Sequence, residues 1–224
     1  MKTTTPVLQF VYPLIKLAAP ITAVICAVAL FTGFWTHSLK WLLLGIAAPY
    51  LFPLMLYRFL EWLSPQREGA TRMRRGRYHP WVSAFRIQIF YAVFPTFEDA
   101  LKIIPGAYSL WLRLWGSRIG RRVFISPGCA VLDRGMLDIG DDVTIGFGVT
   151  FSAHLMRDKG AGRLLYLRRI RIGSGAFIGA QSFLGPGSVL DEGLTLPAAA
   201  SMTVNCHNEY FSPVRVRKET EKGA

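Results

Sequence analysis

The stretch "IGDDVTIGFGVTFSAH" runs from Ile139 to His154. Ile139, Ile145 and Phe151 stand six residues apart, a glycine follows each isoleucine, and the stretch ends on a histidine. A period of six fits neither the 3.6 of a helix nor the 2 of a lone strand. Short fixed periods of this kind signal a parallel β-helix. Each unit is then one short flat side plus a corner. Its aliphatic residue points inward and stacks on the equivalent residue one coil away, and small residues fit the sharp corners.

Working outward, the same spacing holds at Ile119, Ile125, Val131 and Leu137, where the count shifts by two before resuming at Ile139. It returns at Ile172, Ile178, Leu184, Leu190, Leu196 and Met202. The next residue is usually small or acidic, as at Gly120, Ser126, Gly140, Gly146, Gly173, Gly179, Gly185 and Asp191. Stacked units bury one another's edges, so stability builds coil by coil. Ser152 to Arg171 interrupts the period with His154, Asp158 and six basic residues, Arg157, Lys159, Arg163, Arg168, Arg169 and Arg171. A long break inside a repeat domain is a functional segment or a disordered one.

The rest of the chain is apolar. Hydrophobic residues make up 51% of the 224. No Asp, Glu, Lys or Arg occurs from Leu17 to Leu39, which is long enough to span a membrane. A second run, Trp41 to Tyr57, follows Lys40, with Trp35, Trp41 and Trp62 where interfacial aromatics belong. These runs predict a transmembrane helical hairpin. Five arginines in "REGATRMRRGR", Arg67 to Arg77, put that segment on the cytoplasmic side and suit an anionic lipid surface. The residues 81–115 are aromatic and amphipathic, and Pro95 and Pro105 divide them into short helices that lie at the interface or pack under the repeat.

Composition also narrows the function. The formal charge of +12 suits nucleic acid, an anionic membrane or a phosphorylated substrate, but no nucleic-acid module is present. Cys26, Cys129 and Cys206 are widely separated and form neither a disulfide framework nor a CxxC zinc site. The two apolar runs hold no Asp or Glu to mark a transport pathway. The domains expected are a hairpin over 1–64, basic and amphipathic interface helices over 65–118, a β-helix over 119–206 and a basic tail over 207–224.

With its basic interruption and the restart "RIRIGSGAFIGAQSFLGPGSVLDEG", the repeat resembles the hexapeptide-repeat acyltransferases, in a membrane-anchored variant. The resemblance covers about 119–204 and implies a left-handed parallel β-helix that forms a homotrimer. It also implies that His154, opening the interruption, is the general base, activating an acceptor hydroxyl or amine for direct attack on a thioester. Asp158 is the first choice of carboxylate to orient the ring, with Asp142 or a neighbouring subunit's acid as alternatives. His207 is the second choice of base, ahead of His37 and His79.

The donor implied is acetyl-CoA, a longer acyl-CoA or the phosphopantetheine of an acyl carrier protein, with no metal. It would lie along the small positions Gly179, Ala180, Ser182, Gly185 and Ser188, with Arg215, Arg217 or Lys218 on the CoA phosphates. The activity expected is acyl transfer to a lipid, lipid-linked saccharide or other amphiphile. The expected place is a bacterial inner membrane, with the catalytic part facing the cytoplasm and membrane lipids as partners. A non-catalytic membrane scaffold and a metal-dependent hydratase on the same fold are the alternatives.

Overall fold

Three inward-facing ladders run through the second half of the chain. They join Ile119, Ile139, Ile172 and Leu190; Ile125, Ile145, Ile178 and Leu196; and Val131, Phe151, Leu184 and Met202. These are the residues of the six-residue period, and each is 7% exposed or less. The structure is a computed structural model and describes residues 6–74, 76–159 and 162–207.

Each ladder belongs to a four-stranded parallel sheet. The first sheet has the order β13 (Val189–Leu190), β10 (Ile170–Ile172), β5 (Leu137–Ile139), β2 (Arg118–Ile119). The second is β14 (Thr195–Leu196), β11 (Phe177–Ile178), β6 (Thr144–Ile145), β3 (Phe124–Ile125). The third is β15 (Ser201–Met202), β12 (Phe183–Leu184), β7 (Thr150–Phe151), β4 (Ala130–Val131). The chain visits the three sheets in turn and returns to the first one layer along. Strands of two residues are the direct result of the period, because one inward side chain and its outward neighbour fill the flat side and the rest make the corner.

Two corners depart from the rule, and both join the third sheet to the first. Eight residues separate Val131 from Ile139, and twenty-one separate Phe151 from Ile172, where six is usual. The longer departure is the basic interruption. It folds as a hairpin of β8 (His154–Lys159) and β9 (Gly162–Leu167). The arginine segment supplies its third strand, β1 (Gly69–Met73), antiparallel to β9. The residues 65–118 are therefore not helical throughout. Leu165 and Leu167 on β9 are buried and pull the strand onto the core, while β1 covers its other edge.

Among the described residues, six helices precede the stack. They are α1 (Pro6–Ile15), α2 (Ala18–Trp35), α3 (Leu39–Leu63), α4 (Pro80–Val93), α5 (Thr96–Ile103) and α6 (Ala107–Leu114). Helices α2 and α3 are long and apolar enough to cross a membrane. Gly33 and Gly45 let them approach closely, since a Cβ on either would fall within 3 Å of Leu42 or Leu30.

Two prolines inside α3 shape its contacts. Proline has no N–H, so Pro49 and Pro53 leave the carbonyls four residues earlier without their helical donor. The thiol of Cys26 on α2 takes the Gly45 carbonyl at 3.2 Å, and the hydroxyl of Tyr91 on α4 takes the Pro49 carbonyl at 2.7 Å. Helix α4 is thereby tied to the long apolar helix. Pro80 opens it, and the breaks near Pro95 and Pro105 fall where the sequence places them.

Candidate active site

His154 is the first residue of β8 and lies three residues past the inward Phe151. Asp133 lies two residues past Val131, in the corner one layer earlier. Because Val131 and Phe151 are register partners, the two lengthened corners lie side by side. They bring His154 Nδ1 within 2.7 Å of Asp133 Oδ2.

The carboxylate is 3% exposed and fully engaged. Oδ2 also accepts the Ala153 backbone N–H at 2.9 Å, and Oδ1 accepts the indole N–H of Trp81 at 2.8 Å. Both carboxylate oxygens are thus taken up by hydrogen bonds. A carboxylate oxygen that accepts from Nδ1–H leaves the imidazole lone pair on Nε2. The ring is held from the sides as well, with Trp81 and Phe85 of α4 at centroid distances of 4.6 and 5.8 Å.

His154 lines a cavity of about 400 Å³ between α4, α5 and β4. Its accessible lining is mostly apolar and includes Phe85, Ile89, Ala92, Pro95, Val131 and Leu132. The polar lining is largely committed to internal contacts. Arg134, beside Asp133 in the same corner, forms a two-pronged ion pair with Glu98, and Trp111 donates to Glu98 at 3.0 Å. Gln88 accepts from the Arg134 backbone N–H at 2.8 Å, and the guanidinium lies 4.7 Å from the Tyr91 ring centre. Lys102 bridges Asp99 and the Cys129 carbonyl, each at 2.8 Å. Buried thiol Cys129 has its pKa pushed up by burial, so it stays protonated.

The other expected residues fall elsewhere. Asp158 is four residues along β8 from His154, its side chain is exposed, and it pairs with Arg163 at 3.1 Å. On a strand, four residues span about 13 Å, too far to reach the ring. Asp142 pairs with Arg122 at the stack surface. The carboxylate on His154 is Asp133. His207 sits at the far end of the stack, bridged to Val189 and 3.5 Å from Asp191. His79 lies just before α4, and His37 lies in the turn between α2 and α3.

None of the small positions expected to line the donor site borders the His154 cavity. Ser182 and Ser188 are buried and donate to the carbonyls of Pro197 and Gly185 at 2.9 and 2.8 Å. Gly179 and Gly185 lie against the next layer, where a Cβ would fall 2.3 Å from Ala198 N or 3.0 Å from Met202 O. Four of the five are packing residues of the stack, and Ala180 alone is half-buried. Arg215, Arg217 and Lys218 lie outside the described residues. Among the described residues no three His, Cys, Asp or Glu side chains gather as a metal-ligand set.

Asp133, Trp81, Phe85 and the Arg134–Glu98 pair carry no motif of their own. The signal for Asp133 was the shift of two in the period between Val131 and Ile139.

No family model matches the chain, and no curated protein matches it. Among solved structures, it is similar to an N-acyltransferase from Bacillus cereus in complex with dTDP and coenzyme A. That match has 14% identity and a TM-score of 0.27, covering 39% of this chain and 74% of the other. It is also similar to a hexapeptide-repeat acetyltransferase from Vibrio cholerae complexed with acetyl coenzyme A. There the identity is 18% and the TM-score 0.27, covering 58% of this chain and 90% of the other.

Proposed function

We propose that this chain is a membrane-anchored acyltransferase in which His154, oriented by Asp133, is the general base. The observation that carries the reading is the buried dyad, whose engaged Nδ1 leaves Nε2 as the basic nitrogen of a ring that borders an apolar cavity. Two neighbouring corners of an otherwise regular stack are lengthened, and together they build this dyad. In the proposed fold the three sheets are the faces of a left-handed parallel β-helix over 119–206. The hairpin over 1–64 anchors it and 65–118 links the two, while the basic segment after His207 lies outside the described residues.

The chemistry follows from the dyad. Nε2 takes the proton from an acceptor hydroxyl or amine as that oxygen or nitrogen attacks the thioester carbonyl. The tetrahedral intermediate collapses, the C–S bond breaks, and the imidazolium returns its proton to the departing thiolate. The products are an ester or amide and a free thiol. Asp133 stabilises the imidazolium through Nδ1 without taking the proton.

The donor in this reading is acetyl-CoA, a longer acyl-CoA or an acyl carrier protein. Its pantetheine arm lies along the outer corners near Ala180, between copies in a homotrimer. The acceptor is a lipid, lipid-linked saccharide or similar amphiphile. Its support is the apolar cavity roofed by α4 and α5, with α4 tied to α3 through Tyr91. In this reading the catalytic part faces the cytoplasm at a bacterial inner membrane, and the arginines of 67–77 support that orientation.

The test is mass spectrometry of lipids and glycans from a deletion strain complemented with wild type or His154→Ala. A mass gain of one acyl group with the wild type alone supports the reading and names both substrates. Identical spectra from the two strains, at equal protein levels, contradict it.

A further inference from the structure

Two cavities meet at Lys102. The His154 cavity, about 400 Å³, lies between α4, α5 and β4. A second, of about 550 Å³, lies between the α5–α6 connection and the first layer of the stack, where Ile104, Tyr108, Phe124 and Ile125 line it. Among the described residues, Lys102 alone lines both. Its side chain is 1% exposed. The ammonium donates to Asp99 and to the Cys129 carbonyl, each at 2.8 Å, and lies 4.8 Å from the centre of the Tyr108 ring. A buried charge is tolerated when it is paired in this way, and the pairing fixes the side chain in the wall between the cavities.

The His154 cavity selects a simple chemistry. Its polar walls are spent on internal contacts. Gln88 serves the Arg134 N–H and the Ala84 carbonyl, and Tyr91 the Pro49 carbonyl. Glu98 serves Arg134 and Trp111, and the Cys129 thiol the Gly146 carbonyl. With Nδ1 on Asp133, His154 keeps Nε2 for a ligand. A sugar or nucleotide would bring several polar groups to walls that cannot match them. A hydrocarbon chain brings none, and each methylene seated there tightens binding about fourfold. The rim is apolar as well, since Ile89 lines the cavity and is exposed, with Val93 and Phe94 exposed beside it.

Lys102 and His154 mark opposite ends of this cavity. Lys102 holds the carbonyl of Cys129, just before β4, whereas His154 holds Asp133, just after it. Cys129 to Asp133 spans at most about 14 Å of backbone. A chain with its polar head at His154 and its tail along β4 therefore runs toward Lys102. We propose that the His154 cavity receives the single hydrocarbon tail of the acceptor, and that Lys102 closes its inner end and sets the tail length admitted. That the tail is the acceptor's rests on the proposed acyl transfer, whereas the tail site and its stop do not.

The test is thermal unfolding of the full chain in an uncharged maltoside detergent, with primary alkanols from hexanol to hexadecanol as probes. In the wild type the gain in midpoint should rise with chain length and then level off. Lys102→Ala removes the stem beyond Cβ, so levelling should come about four carbons later. Lys102→Met loses the ion pair but keeps the bulk, and should level off where the wild type does. A purely structural role would move both variants alike. Levelling at the wild-type length in Lys102→Ala, an equal shift in Lys102→Met, or no gain from any alkanol in the wild type overturns the proposal. If Lys102→Ala fails to fold, Lys102→Val decides by the same comparison. Release of free thiol from acetyl-CoA with the same alkanols tests the acyl transfer separately. No release beside the expected length profile would contradict the acyl transfer and leave the tail site standing.

Discussion

His154 Nδ1 and Asp133 Oδ2 are 2.7 Å apart, although twenty-one residues of chain separate them. The stack makes the contact, since Val131 and Phe151 are register partners and each corner beyond them is lengthened. The histidine therefore depends on the layer before it, not on its own strand.

Asp133→Asn separates this carboxylate from the one four residues along β8. An amide facing Nδ1 favours the tautomer with its proton on Nε2, where no base remains. The expected loss in kcat for thioester turnover is about 10²–10⁴-fold, while Asp158→Asn should stay within about twofold of wild type. Steady-state kinetics on both variants in detergent checks this. Comparable losses would return the role to Asp158.

Trp81 acts on the imidazole through Asp133. Trp81→Phe keeps a ring beside His154 but leaves Asp133 Oδ1 without its donor, at a cost of about 1–3 kcal/mol. The expected result is a lower melting temperature and a reduced kcat with an unchanged donor KM. A changed KM with an unchanged kcat would place Trp81 on the substrate instead.

The Arg134–Glu98 pair predicts a strong non-additivity. Arg134→Met leaves a carboxylate buried without its partner, which costs about 3–5 kcal/mol. The double variant with Glu98→Met should recover much of that loss. A double-mutant cycle by denaturant unfolding measures the coupling, and additive effects would show that the pair is not coupled.

His79 predicts a pH slope. Burial holds its pKa below the ordinary value of 6.5. The unfolded chain then binds more protons than the folded one as pH falls through 6.5, so stability falls with pH in that window. Melting curves between pH 7.5 and about pH 5 in uncharged detergent should show this, and His79→Asn should flatten the slope. An unchanged slope in His79→Asn would assign it to other groups.

Much of the stack was legible because its inward residues repeat every six positions, and a single fixed spacing requires no knowledge of partners. The two apolar helices were legible by length, and Pro95 and Pro105 marked the helix breaks. His154 was legible because the period stops there. Its partner was not, because Asp158 is near in sequence whereas Asp133 is near only in the fold. The shift of two at Val131 to Ile139 was visible, but its meaning depends on which corner stacks beneath the interruption. The pairing of β1 with β9 was hidden for the same reason. An arginine-rich segment beside a hydrophobic run reads as a lipid contact, and its strand pairs with Arg163 to Leu167. Ser182 and Ser188 suit an outer groove by size alone, and only their hydrogen bonds reveal that they face inward.

The most direct test of the central claim is release of free thiol from acetyl-CoA by the purified, detergent-solubilised protein, with membrane lipid extract as acceptor. The account predicts lipid-dependent release by the wild type and a loss of about 10²–10⁴-fold in His154→Ala, with the melting temperature preserved. Release by His154→Ala at the wild-type rate would contradict it.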